Sequence, residues 1–77
     1  MYILKDNILG TQLYKSKSLD KITDLLLKKA RAQVYHDDLD KQTYRGLYEA
    51  VKYSQNIKEL NDFLTYELGY SIEIFNS

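Results

Sequence analysis

The feature that most constrains this chain is that its 77 residues include no cysteine, so no disulfide can hold the fold together. A chain of this length buries only about 60% of the surface that it exposes when unfolded, which leaves material for one core. Small secreted domains usually carry disulfides, so a cysteine-free chain is more typical of the cytoplasm. The sequence predicts a single cytoplasmic domain over residues 1–77, stabilised by packing alone.

The apolar residues are too dispersed to form a membrane segment. After the first few residues the longest apolar run is Leu25-Leu26-Leu27. A membrane-spanning helix needs about 20 consecutive apolar residues. The N-terminal residues also lack the basic start and long apolar stretch of a signal peptide. We therefore expect a protein without a membrane partner.

Both ends of the chain carry β-type patterns. Residues 2–5 are a β-prone run, Asp6-Asn7 can form a turn, and residues 8–14 resume in extended form with Gly10 as a candidate bulge. Residues 70–75 alternate with period two. Because an isolated hairpin is marginal in water, we expect the last strand to join the first two.

Two amphipathic helices are predicted in the middle of the chain. Ser18 is placed as the N-cap of a helix over residues 19 to about 33. The acidic stretch 36–40 breaks that pattern and can cap a second helix, in which apolar positions recur over residues 44–51. Gly46 lies inside this helix, where glycine is unfavourable. It indicates close approach of another backbone or side chain, with drift at an unimportant position as the alternative.

A third helix completes the predicted fold. Asn56 and Glu59 have the spacing of a capping box, the helix starts at Ile57, and Gly69 is the expected left-handed stop. The sequence therefore predicts an α+β domain of order ββαααβ, in which three helices pack on a small antiparallel three-stranded sheet. The alternative is a helical bundle with extended termini. The predicted core consists of Ile3, Leu13, Ile22, Leu26, Leu47, Val51, Leu60, Leu64, Leu68, Ile72 and Ile74.

The charges balance overall but are unevenly distributed. Residues 1–31 hold seven basic and three acidic residues, whereas the remainder holds four basic and eight acidic ones. Zero net charge argues against a dedicated nucleic-acid-binding protein, and we interpret the asymmetry as attraction between two halves of one fold. The alternative is a nucleic-acid-binding face on the hairpin and first helix, with Tyr2 or Tyr14 as a stacking platform. Its basic residues would be Lys15, Lys17, Lys21, Lys28, Lys29 and Arg31.

Few residues in this chain can carry catalytic or metal chemistry. His36 is the single histidine, cysteine is absent, and the three glycines do not form a phosphate-binding motif. The segment His36-Asp37-Asp38-Leu39-Asp40 contains residue types that bind metals, but it lacks the spacing of a calcium loop. Acidic residues before a helix are also expected from capping alone. We predict neither an enzyme nor a bound metal or organic cofactor.

Tyrosine is the most unusual component of the sequence, with eight Tyr against two Phe and no Trp. Eight tyrosines are difficult to seat around so small a core, and tyrosine is enriched at protein interfaces. We therefore predict a small regulator or inhibitor that binds another protein, with self-association as the nearest alternative. The abundance of Lys, Ile, Tyr and Asn suggests a bacterium or phage with an A/T-rich genome. The predicted binding residues are Tyr44, Tyr48, Tyr53, Tyr66, Glu49 and Asp62.

The interpretation of the acidic cluster as a helix cap can be tested by thermal denaturation. If no ligand set closes a coordination shell, adding Mg²⁺, Ca²⁺ or Zn²⁺ should leave the melting temperature unchanged. A rise of several degrees that a chelator reverses would contradict the interpretation, because a ligand that binds only the folded state must stabilise it.

Overall fold

The computed structural model describes residues 1–75 and has the predicted α+β architecture. The predicted order ββαααβ is confirmed, and the alternative of a helical bundle is wrong. The last two residues of the predicted domain, 76 and 77, lie outside the described residues. The elements are β1 (Tyr2–Asp6), β2 (Thr11–Ser16), α1 (Leu19–Tyr35), α2 (Lys41–Tyr53), α3 (Ile57–Glu67) and β3 (Tyr70–Ile74).

The first strand lies at the centre of the sheet. The strand order is β2-β1-β3, and both pairings are antiparallel. Leu4 lies opposite Tyr14 on one side and Ile72 on the other, and its side chain is fully buried in the core. The predicted core omitted Leu4 and chose Ile3. Ile3 is buried as well, but strand alternation places it on the opposite face of the sheet, outside the main core cluster.

The hairpin turn is longer than predicted. The strand expected to resume at Ile8 begins at Thr11. The Asp6 carboxylate accepts hydrogen bonds from the backbone N–H groups of Ile8 (2.9 Å) and Leu9 (3.0 Å), which fixes the intervening residues in a turn. Gly10 closes the turn at a left-handed φ of 70°, and its N–H donates to the Asp6 carbonyl at 2.8 Å. The predicted two-residue turn is therefore wrong.

The irregularity of β2 lies at Leu13 and not at Gly10. Leu4 pairs with Tyr14 whereas the next residue, Lys5, pairs with Gln12, so Leu13 is the extra residue of a bulge. Leu13 and Tyr14 are consecutive, yet both pack against the core cluster. A regular strand would have turned one of these two side chains away from the helices.

The predicted helix caps are confirmed by their hydrogen bonds. The Ser18 side chain accepts from the N–H of Lys21 (3.3 Å), and the Asn56 side chain accepts from the N–H of Glu59 (2.9 Å). The Glu59 carboxylate reaches back to the N–H of Gln55 (3.0 Å), one residue beyond the position expected for a capping box. Gly69 follows α3 at a φ of 72°, as predicted for a left-handed stop.

The core forms where the three helices meet one face of the sheet. Leu13, Val51 and Leu68 are partly buried against it. Ile74 was predicted to be buried but is 54% exposed. The Asn61 side chain of α3 contacts Ile72. Since α3 begins only one turn before Asn61, the part of β3 that the helix covers ends near Ile72. The residues of the core cluster are Leu4, Ile22, Leu26, Ala30, Leu47, Leu60, Leu64, Tyr70 and Ile72.

Gly46 is explained by the packing of α2 on α3. A Cβ atom at this position would lie 3.3 Å from two ring atoms of Phe63. That separation is tighter than ordinary van der Waals contact, so the aromatic ring occupies the space that a side chain would need. The close approach predicted from the sequence is confirmed.

Helix α3 also closes the outer edge of β3. The Asn61 side-chain amide donates to the Ile72 carbonyl (2.8 Å), and its oxygen accepts from the Ile72 N–H (2.7 Å). One turn further, the Thr65 hydroxyl donates to the Tyr70 carbonyl (3.3 Å). At Tyr70 and Ile72 these side chains take the place of a neighbouring strand, so this part of the edge is not free to pair with another chain.

The Asn61 clamp should contribute measurably to stability. Asn61→Ala leaves the N–H and C=O of Ile72 without their partners in a partly buried site, and we expect a loss of about 1 to 3 kcal/mol in the free energy of unfolding. Urea denaturation measures the loss. The control Asp62→Ala alters an exposed neighbour and should change stability by less than about 0.5 kcal/mol. Equal effects of the two substitutions would contradict the clamp.

Candidate functional site

The eight tyrosines divide evenly between the core region and the surface. Tyr70 is buried, and Tyr2, Tyr14 and Tyr44 are partly buried against the core. The remaining four have exposed side chains, so the core does not absorb them. Their exposed fractions are 83% for Tyr35, 47% for Tyr48, 69% for Tyr53 and 88% for Tyr66.

Helix α2 distributes its tyrosines over two sides. The Tyr44 hydroxyl accepts a hydrogen bond from Arg31 of α1 (3.4 Å), whereas Gly46 faces α3. Tyr48 lies one turn after Tyr44 and therefore on the side of α1, and Tyr53 lies two turns after Gly46 and therefore on the side of α3. The residues predicted from the sequence as one binding surface are thus distributed around the helix.

A lysine joins the two sides at the C-terminal end of α2. The Lys52 ammonium group lies 6.0 Å from the centre of the Tyr48 ring and 5.5 Å from that of the Tyr53 ring. Both rings are exposed, so each cation–π contact is worth only about 0.5 to 1 kcal/mol. The contacts nevertheless favour an arrangement that presents both aromatic rings together at this end of the helix.

The predicted carboxylates have different environments. Glu49 forms an exposed ion pair with Arg45 one turn earlier on α2, with 3.5 Å between the charged atoms. Its charge is therefore balanced locally. Asp62 is exposed on α3, one turn before Tyr66, and so belongs to the same side of that helix. Both acidic residues lie one turn before an exposed tyrosine, Glu49 before Tyr53 and Asp62 before Tyr66.

A cleft between α2 and α3 was not predicted from the sequence. It has a volume of about 310 Å³. Gly46 and the Phe63 ring that packs against it both lie in its lining. Carboxylates from two helix ends complete the lining, and they give the cleft an acidic and aromatic character. The lining residues are Asp40, Gln42, Thr43, Gly46, Phe63 and Glu67.

Asp40 acts as the predicted cap of α2. Its carboxylate accepts hydrogen bonds from the N–H (2.6 Å) and the hydroxyl (3.0 Å) of Thr43. The backbone bond, and next the hydroxyl bond, lower the pKa of the Asp40 carboxyl below its ordinary value of 3.8. Within residues 1–75, no group of three or more His, Asp or Glu side chains is arranged to hold a metal ion.

The basic residues form no single cluster around a ligand-sized site. Five of the six predicted residues are exposed and Lys29 is partly buried. Lys28 and Arg31 line an open groove of about 370 Å³ together with Ala32, Tyr35 and His36. The Tyr35 and His36 rings meet edge to face at 5.3 Å. Lys15 and Lys17 lie on or next to β2, at the other end of the basic segment.

Comparisons with protein-family models, with curated proteins and with solved structures find no match to this chain. Among residues 1–75, no helix combines the length and the apolar character required to cross a membrane. The function must therefore be argued from the exposed tyrosines, the cleft and the charged residues themselves.

The cap at Asp40 gives a pH-dependent contribution with a defined sign. Because its pKa is lower in the folded state, the stabilisation is fully present above the ordinary value of 3.8 and is lost as the pH falls through the folded pKa. Asp40→Ala should therefore be most destabilising near neutral pH, and the difference from the unmodified chain should narrow below pH 3.8. Urea denaturation over this range measures it.

Asp40→Asn is the matched control, because asparagine caps a helix without titrating. The stability difference between the Asn and Ala variants should stay constant with pH. A constant difference between the unmodified chain and the Ala variant would show that the charge of Asp40 contributes nothing.

Proposed function

We propose that this chain is a small, non-enzymatic, cytoplasmic module that binds another protein and acts as its regulator or inhibitor. The observation that carries the proposal is the exposure of Tyr53 and Tyr66, at 69% and 88%. Aromatic anchors supply a disproportionate share of the energy of protein interfaces. A tyrosine side chain has only two torsions that become fixed on binding, so its immobilisation costs little conformational entropy for the area that it contributes.

The side of the molecule formed by α2 and α3 is the surface that we favour. Tyr53 is exposed on α2, Tyr66 and Asp62 are exposed on α3, and the cleft lies between these two helices. The carboxylates of Asp40 and Glu67 line this cleft beside the Phe63 ring. A basic side chain of a partner would be attracted by the carboxylates and could stack on the ring. The surface therefore suits a partner with exposed lysine or arginine.

The residues available for chemistry support a binding role. His36 is exposed in the turn after α1, where its ring contacts Tyr35. Asp40, the carboxylate whose pKa is lowered, is engaged in capping α2. General acid–base catalysis requires a titrating group held close to a reactive partner, whereas the His36 ring contacts Tyr35 and the Asp40 carboxylate caps α2.

The proposal predicts that binding depends on the tyrosines of the α2–α3 side. In pull-downs from the native cell, Tyr53→Ala and Tyr66→Ala should each weaken retention of the bound protein about tenfold or more. Tyr35→Ala is the matched control, since Tyr35 is equally exposed but belongs to α1. Retention should be unchanged in that variant.

Two outcomes would contradict the proposal. The first is equal loss of the retained protein in the Tyr35 variant, which would indicate non-specific adhesion. The second is binding of DNA or RNA with a steep salt dependence that Lys28→Glu and Lys29→Glu abolish, with no protein retained. In that case the basic face of α1 would be the functional surface.

A further inference from the structure

The two outer edges of the sheet are treated differently by the rest of the molecule. Asn61 and Thr65 satisfy outward-facing backbone groups of β3, as described above. Within residues 1–75, β2 receives no equivalent clamp from α1, although the helix follows directly after it. At this junction the N–H of Ser18 donates to the Ser16 side chain at 3.1 Å, and not to the β2 backbone.

The strand register identifies which backbone groups of β2 point outwards. Since the N–H and C=O of Ile72 are bonded to Asn61, the opposite residue Leu4 must direct its own groups towards β2. The next residue, Ile3, then bonds to β3, and its β2 partner Lys15 points away from the sheet. Lys15 therefore presents a backbone donor and acceptor at an open edge.

The end of the sheet supports this assignment independently. The N–H of Phe75 donates to the Met1 carbonyl at 2.8 Å, and the Met1 amino group donates to the Phe75 carbonyl at 3.0 Å. Met1 is two residues before Ile3, so both residues bond to the β3 side. The alternation of inward and outward groups is thus consistent along β1.

The charges around this edge decide what can pair with it. Lys15, Lys17 and Lys21 are exposed on β2, on the following bend and in the first turn of α1. Pairing of β2 with a second copy of itself would bring lysines of the two copies together, and like charges on paired strands are destabilising. A strand with acidic side chains would have its carboxylates near these ammonium groups.

We propose that the open edge of β2 accepts an extended, acidic segment of a partner protein as an additional strand. The backbone of the segment would pair with the N–H and C=O of Lys15, and its carboxylates would contact the neighbouring lysines. This inference goes beyond the proposed function, because it concerns a surface separate from the tyrosines of the α2–α3 side. The bulge at Leu13 interrupts the edge, so the paired segment is confined to the C-terminal half of β2.

A labelled synthetic peptide of alternating glutamate and valine serves as the probe. Fluorescence anisotropy should show binding that weakens with salt, and the amide resonance of Lys15 should shift and become protected from hydrogen exchange. The same peptide with lysine in place of glutamate is the matched control and should not bind.

Comparison of Lys15→Pro with Lys15→Gln separates backbone pairing from charge, because both substitutions remove the ammonium group. Proline is tolerated on an edge strand where the N–H faces solvent, so the hairpin should remain intact while the outward donor is lost. We expect the Pro variant to bind the acidic peptide about tenfold more weakly, because it has lost both the backbone donor and the charge of this residue. Lys15→Gln retains the backbone donor and should weaken binding less.

Should Lys15→Pro prove unfolded by circular dichroism, the shift of the Lys15 amide in the unmodified chain decides the question. Peptide binding without that shift would overturn the inference, as would equal binding of the basic peptide. Concentration-dependent dimerisation that Lys15→Pro prevents would instead make a second copy the occupant, and the inference would be wrong. Tyr53→Ala and Tyr66→Ala should leave peptide binding unchanged, so failure here is distinguishable from failure of the proposed function.

Discussion

The position of Leu4 in the central strand connects the sheet to the helices. Both strand pairings pass through β1, and Leu4 lies between Tyr14 and Ile72 with its side chain fully buried. It belongs to the same core cluster as residues of all the helices, including Leu26, Leu47 and Leu64. A chain without disulfides depends on such apolar burial, which contributes about 1.5 to 3 kcal/mol for a fully buried leucine. The contact between β1 and β3 also joins the two ends of the chain, whereas the Lys5–Glu73 ion pair across it is partly exposed and contributes little.

Because β1 is central, β2 and β3 are the edge strands, and they differ in how their outward-facing backbone groups are bonded. Helix α3 precedes β3 directly, so its polar face lies along that strand and supplies Asn61 and Thr65 to the backbone. Helix α1 packs its apolar residues towards the core and gives β2 no such contact within the described part of the chain. Exposed Lys15, the neighbouring Lys17 and the bulge of β2 discourage self-pairing. The same features leave backbone groups of β2 next to exposed lysines, which is the basis for the proposed pairing with an acidic strand.

Local signals in the sequence predicted the elements, and the differences arise from one unrecognised local contact and from the limited extent of one helix. The caps at Ser18 and Asn56 depend on residues within one turn and were predicted correctly. The long turn after β1 was not, because the sequence does not show that the Asp6 side chain bonds two later N–H groups. Ile74 satisfies the alternation of a buried strand but extends past the cover of α3.

The same distinction applies to the candidate sites. The surplus of tyrosine was visible in the composition, and the exposure of Tyr53 and Tyr66 agrees with it. Helical periodicity alone could have shown that Tyr44 and Tyr53 lie on different sides of α2. Gly46 signalled a close approach, although only the packing of Phe63 shows that a cleft opens beside it.

Amide hydrogen exchange tests most directly whether the two edge strands differ in the bonding of their outward-facing backbone groups. We expect slow exchange at Ile72, whose N–H is held by Asn61, and fast exchange at Lys15, whose N–H points outwards. Protection of Lys15 equal to that of Ile72 in the isolated protein would contradict this expectation.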